Sequence, residues 1–203
     1  MKIAKFYSHL NGFEYIQYHR PHIWEELNKV VGELNAEKFR IKRSSEARKE
    51  GYMLYSPIDM NKEFRRLFNK YNWSEKRVNN WISDDITLLR EIVHLNAEEQ
   101  KKTIEEKGLE PIMTYNQTDF VKDRVAVEIQ FGKYSFVAHD LFVKHMSFFI
   151  SNDIDVGIEV VPMKSMEKHM SSGVPYYERD LFNLMRQGRG IPAVPIILVG
   201  VAP

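Results

Sequence analysis

The chain reads as an α/β protein: a central mixed β-sheet flanked by helices, with a largely helical N-terminal half. Three observations predict this. From Arg124 to Phe131 the residues alternate, with Val125, Val127, Ile129 and Phe131 on one face and Ala126, Glu128 and Gln130 on the other, which is the period of a strand. Ile196–Val201 is a continuous apolar run of the kind buried on both faces of a sheet. After Pro111 the order is strand, strand, helix, strand, helix, strand, which implies a hairpin followed by crossovers through helices.

Taken in order, Ile3–Tyr7 suits a strand and Asn11-Gly12 a turn, while Phe13–Tyr18 fits strand or helix equally. Pro21 opens a helix to about Leu34, with Ile23, Trp24, Leu27, Val30, Val31 and Leu34 on one stripe. Residues 38–51 are polar and basic and read as a loop. Asn61–Tyr71 is an amphipathic helix. Ser74 and Ser83 are candidate N-caps for helices over Glu75–Ile82 and Asp85–Leu95. A polar stretch, Ala97–Lys107, stops at Gly108. Beyond it come a strand near Ile112–Phe120, the alternating strand, a helix over Tyr134–Ile150, and a strand at Ile154–Val161. A loop at Met170–Pro175, a helix at Tyr176–Gln187 and the terminal apolar strand follow. No linker or repeat divides the chain, so it reads as one domain over 1–203, with a helical part to about 110 and a catalytic α/β core over about 111–203.

Composition narrows the chemistry. The 203 residues are long enough to bury a core without staples. There are no cysteines, which excludes thiol nucleophiles and cysteine-zinc sites and suits a reducing, cytoplasmic location. No stretch is long and apolar enough for a signal peptide or a bilayer span. The net charge of +1 points to no acidic partner, although phosphate contacts need only a local basic face. Local candidates are Lys38–Lys49, the region from Arg65 to Lys70, and Arg186 with Arg189; charge runs of this kind are usually solvated loops.

The residues that the strand pattern leaves over are Asp119, Glu128 and Gln130. A polar break at Lys122, Asp123 and Arg124 turns the chain back, so that Asp119 lies on the neighbouring strand within reach of Glu128. Two carboxylates together repel unless a cation joins them, typically an oxygen-loving ion such as Mg²⁺. The chemistry would be phosphodiester hydrolysis, with Asp119, Glu128 and the backbone carbonyl of Ile129 around the ion and a metal-bound water as nucleophile. Gln130, a neutral amide, can orient that water but cannot act as its base. On spacing alone, a solvated turn stays open beside the metal site.

Other chemistries lack anchors. His19 and His22 straddle Pro21, and His139 and His145 do not share a helical face. There is no G-x-S-x-G elbow and no phosphate-binding G-x-x-x-x-G-K-[ST] loop, which excludes a nucleotide cofactor on that motif. Lys133, just past the strand, and the Ser171-Ser172-Gly173 loop are ordinary turn residues, yet if DNA lies across the site they suit base edges in the major groove. A lysine aimed at N7 accepts either purine.

Asp119, eight intervening residues, then Glu128-Ile129-Gln130 resembles the D-x(n)-E-x-Q active site of the BglII/BamHI group of type II restriction endonucleases, a branch of the PD-(D/E)xK nuclease superfamily. The likeness extends through TDFVKDRVAVEIQFGKYSF and the C-terminal RQGRG…VPIILVG stretch. It implies a homodimer that cuts double-stranded DNA at the palindrome purine-GATC-pyrimidine, with Mg²⁺, leaving four-base 5′ overhangs. It further implies that Asp119 and Glu128 are metal ligands, that Gln130 holds the usual lysine position, and that Lys133 and Ser172 contact the outer base pair. A relative in the group carries a further upstream acidic residue; Glu105 and Glu106, in a solvated-looking helix, are the candidates here. Two alternatives remain: a structure-selective repair nuclease or resolvase on the same fold, and an inactive DNA-binding regulator.

Overall fold

The strand β1 (Lys2–His9) is followed by helices α1 (Gly12–His19) and α2 (Pro21–Glu33), a two-stranded ribbon of β2 (Lys42–Arg43) and β3 (Met53–Leu54), and helix α3 (Pro57–Lys70). Then come β4 (Ser74–Ile82), α4 (Ile86–Ile92), α5 (Ala97–Glu106), β5 (Ile112–Lys122) and β6 (Val125–Ile129). The chain closes with α6 (Tyr134–His139), α7 (His145–Ile150), β7 (Val156–Pro162), the short α8 (Lys164–Glu167), α9 (Tyr177–Arg186) and β8 (Ile196–Ala202). This computed structural model describes residues 1–203 throughout. Six strands form one sheet in the order β1-β8-β7-β6-β5-β4. The expected hairpin and crossovers are present: β5 and β6 pair antiparallel, β6–β7 and β7–β8 parallel, and β1 closes the edge antiparallel to β8.

The chain divides into two compact units, Met1–Glu75 with Thr118–Pro203, and Lys76–Gln117. In the larger unit, one sheet face presents Val125, Val127, Ile129, Ile158, Val160, Ile197 and Val199 to Ile23, Leu27, Val30, Phe64, Leu67 and Phe68 of α2 and α3. Burying each of these side chains contributes on the order of 1.5–3 kcal/mol relative to exposure. Val161, Ile196 and Leu198 pack with Val137, Leu141 and Tyr177 of α6, the turn after it and α9. The helices thus sandwich the sheet. The approach is close at Gly157, where a Cβ would meet the His145 ring at 2.5 Å.

The smaller unit holds α4, α5 and the outer parts of β4 and β5 around Leu88, Ile92 and Ile104. Gln100 is buried there with its amide satisfied, accepting from the Trp81 N–H at 2.9 Å and donating to the Leu95 carbonyl at 3.0 Å. Asn96 and Glu99 form a capping box on α5.

Several local expectations change. Phe13–Tyr18 is helical. α3 starts at Pro57, four residues before the expected Asn61, because Ser56 accepts from the Asp59 N–H and Pro57 occupies the first turn. Residues 74–82 are a strand, not a helix. Their polar side chains carry no period, and β5 alongside supplies the backbone partner that local propensity cannot reveal. The cap of α4 is Asp85, which accepts from the N–H groups of Thr87 and Leu88; Ser83 only accepts from the Asp85 N–H at 3.2 Å. No helix is long and apolar enough to cross a membrane.

Candidate active site

The β5–β6 turn fixes the register of the site. Asp123 and Arg124 both have positive φ, 46° and 62°, the conformation that a two-residue hairpin turn needs for its strands to twist together. Neither is glycine, and each carries a strain on the order of 1–3 kcal/mol. Side-chain contacts offset it. Arg124 donates to both Asp155 oxygens at 2.7–3.1 Å and to the Asn152 carbonyl at 2.6 Å, while Asp123 pairs with His22 at 2.7 Å. Asp155 also receives Arg20 at 2.7 Å and Tyr15 at 3.1 Å. The cations and hydroxyl around it, Arg124 first, hold its carboxyl down at about 2.

Beyond this turn the pairs run Lys122↔Val125, Val121↔Ala126 and Phe120↔Val127; counted one step on, that register sets Asp119 across from Glu128, and the Asp119 charge acts on the Glu128 carboxyl. Glu128 does not lie on a wet face. All five residues of β6 are buried, and Glu128 is 3% exposed. Its side chain meets Lys144, whose Nζ is 3.0 Å from Glu128 Oε1 and 2.8 Å from Asp140 Oδ1. The Glu128 contact is an ion pair at a buried oxygen. Burial pushes the Glu128 carboxyl up to about 8; Lys144 pulls it down, while Asp119 and Asp140 add to the rise. For Lys144, burial acts against the charge, but Glu128 and Asp140 outweigh it and hold its pKa above the usual range.

Lys144 and Asp140 bracket a single π turn, Asp140–Lys144, between α6 and α7. Such turns are frequent at functional sites because one extra residue re-aims the side chains that follow. Neither residue was singled out from sequence, since the segment around them is apolar and their target lies on another element. Glu159 was missed as well. It sits beside Glu128 in the parallel β6–β7 register and is fully buried, with His145 Nε2 3.5 Å from its Oε2. Burial drives both toward neutrality, raising Glu159 well above its usual range and lowering His145 to about 4. A lone acidic residue in the apolar run Val156–Pro162 was the available signal.

Gln130 follows β6 with both ends of its amide used. Nε2 donates to Asp140 Oδ2 at 3.3 Å, and Oε1 accepts from the Gly132 N–H at 3.1 Å. Asp119 and Ile129 line one recess together with Asn61, Arg65 and Phe120. Lys133 is exposed and precedes α6. The Tyr134 N–H donates to the Gly173 carbonyl at 2.8 Å, so Lys133 and the Ser171–Gly173 loop are neighbours. That loop is engaged by the basic segment before β3: Ser172 N–H and Oγ both donate to the Glu46 carboxylate, at 2.8 and 2.5 Å, and Lys42 donates to Ser171 Oγ at 2.6 Å. Glu105 and Glu106 pair with Lys101 and Lys102 on α5, and no cluster of three or more acidic or histidine side chains has metal-binding geometry.

The site fits a hard divalent ion in its donor chemistry. Asp119 and Asp140 both act on the Glu128 carboxyl, against which Lys144 is the one ammonium, so the donors present suit a further cation. Two carboxylates, a main-chain carbonyl and substrate oxygens are a usual Mg²⁺ environment.

A family model described as restriction endonuclease BglII/BglIII matches residues 4–201. Among solved structures, the crystal structure of restriction endonuclease BglII complexed with a DNA 16-mer superposes with a TM-score of 0.69 at 21% identity, covering 100% of this chain and 79% of that one. Free BglII superposes at 0.61 with 19% identity, over 100% and 80% of the two chains. A comparison with curated proteins found no match.

Proposed function

The chain belongs to the BglII/BglIII restriction endonuclease family and is thereby a site-specific deoxyribonuclease, and from that premise we propose that it is a Mg²⁺-dependent homodimer, of the PD-(D/E)xK type, cutting both strands of purine-GATC-pyrimidine to leave four-base 5′ overhangs. The observation that supports the active-site part of this reading is the hairpin register that carries Asp119 toward Glu128, with one ammonium between Glu128 and Asp140. A palindromic target suits a two-fold dimer in which each subunit reads a half-site. A DNA-cutting enzyme of this kind acts in the cytoplasm.

Asp119, Glu128 and the Ile129 carbonyl would hold the ion, which when bound supplies Lewis-acid activation of the phosphate and of the attacking water. Lys144 pulls the Glu128 carboxyl toward its anionic form, against a burial that still holds it up at about 8. Gln130 fixes Asp140 and the chain at Gly132 and has no proton to take or give near neutrality. The water's proton therefore leaves toward a phosphate oxygen or solvent, not toward a motif side chain. Lys133 and Ser172, neighbours across the Tyr134–Gly173 hydrogen bond, would read the outer base pair, with Ser171 beside them.

Asp119→Ala tests the assignment. The variant is expected to lose cleavage while still shifting a duplex that carries the site; Mg²⁺-dependent cutting by the variant would overturn it.

A further inference from the structure

α3 carries a polar stripe that the catalytic reading leaves unused. Asn61, Arg65 and Asn69 are spaced four apart and so stand one above another on a single helix face. Asn61 and Arg65 line the recess that contains Asp119 and Ile129. Arg65 and Asn69 line an adjoining trough of about 270 Å³, again with Asp119 and Phe120. Arg65 is thus common to both hollows, and Asp119 lies in each.

The charges of α3 single out this residue. Lys62 pairs with Asp59, Arg66 with Glu63, and Lys70 with Glu33. Arg65 is exposed and makes no ion pair. The helix that carries it is held down along the adjoining face, where Phe64 and Phe68 are buried and Phe68 stacks on Phe120 at 4.3 Å. The helix is therefore held rigidly against the strand that bears Asp119. Near the carboxylates, by contrast, the fixed cation Lys144 is taken up by Glu128 and Asp140, and Gln130 is neutral. An attacked phosphate gains negative charge, and the polar ends of Lys144 and Gln130 are both already turned to Asp140.

We propose that Arg65, flanked by the Asn61 and Asn69 amides, is the phosphate-binding residue of the active site, donating to a non-bridging oxygen of the scissile phosphate. A guanidinium suits this because its planar fork meets two phosphate oxygens and stays charged at every working pH. The inference rests on the nuclease reading above.

The test uses full-length protein and a duplex carrying one cleavage site, with the scissile phosphate either native or replaced by an uncharged methylphosphonate. Binding is measured in Ca²⁺ and single-turnover cleavage in Mg²⁺. Arg65→Ala is expected to slow cleavage about a hundredfold, the usual loss for a donor aimed at developing charge, and Arg65→Lys to recover part of it. Wild type should bind the methylphosphonate duplex at least about tenfold more weakly than the native one, as for a lost charge-assisted hydrogen bond. In Arg65→Ala that penalty should shrink severalfold, leaving only the part owed to the bound ion, which a merely structural role would not produce. A methylphosphonate penalty that survives intact in Arg65→Ala, or an unchanged cleavage rate, overturns the proposal. Wild type that cuts at a fixed sequence while Arg65→Ala behaves normally leaves the nuclease reading standing and removes only Arg65; wild type that cuts nothing removes both.

Discussion

The Lys144 ammonium stands 3.0 Å from Glu128 Oε1, reaching it from a π turn on the helix layer behind the sheet. That contact ties the acidity of the site to a residue far from the motif. Lys144→Met keeps the stem and removes the charge, leaving Glu128 and Asp140 without their cation. Losing one partner of a buried pair costs about 3–5 kcal/mol, so a marked fall in thermal stability is expected at pH 8. The fall should shrink at pH 5, where the carboxyls take up protons instead. Because Glu128 would then hold its proton to higher pH, the pH–rate profile of cleavage should move in the alkaline direction. An unshifted profile with wild-type stability at both pH values would show that Lys144 is a bystander.

Ser172 is held by Glu46 through both its N–H and its hydroxyl. If Ser172 and Lys133 read the outer base pair, Ser172→Ala should alter the preference between purines at that position more than it alters overall affinity. Binding to a panel of duplexes differing only at the outer pair measures this. Equal weakening across the panel would reassign these side chains to the phosphate backbone.

Asp155 gives the acid side of stability. Its carboxyl is depressed from 3.8 to about 2, chiefly by hydrogen bonds from Arg124, with burial opposing. A depressed acid contributes stability that is present above its unfolded pKa and lost as pH falls through the folded value. With 22% of the side chain exposed, solvent screening reduces the contribution to on the order of 1–2 kcal/mol. Asp155→Asn should therefore be less stable than wild type in urea at pH 7, with the gap closing toward pH 3. A gap independent of pH would place the effect in packing rather than charge.

The hairpin and its carboxylates were legible because a strand's period and a polar break are local properties: Val125–Phe131 and Lys122–Arg124 announce them without reference to anything distant. The buried apolar run at Ile196–Val201 was legible for the same reason, and its burial is complete. Ser74–Ile82 was not. Its strand character comes from pairing within the sheet, and its polar side chains imitate a solvated helix. At the site, Asp119 and Glu128 could be placed by counting, whereas Lys144, Asp140 and Glu159 reach it only through crossovers. Arg65 was visible only as part of the basic region from Arg65 to Lys70, and nothing in the sequence said which surface it faces. Glu128 itself is buried, because the helix layer after β6 covers that side of the sheet.

The central claim is tested most directly by digesting a plasmid of known sequence, carrying one purine-GATC-pyrimidine site, with the wild-type protein and Mg²⁺ and then sequencing the ends. The account predicts one discrete double-strand cut at that site, with four-base 5′ overhangs and no product when Mg²⁺ is chelated. Cutting only at branches or lesions, or ends scattered over unrelated sequences, would contradict it.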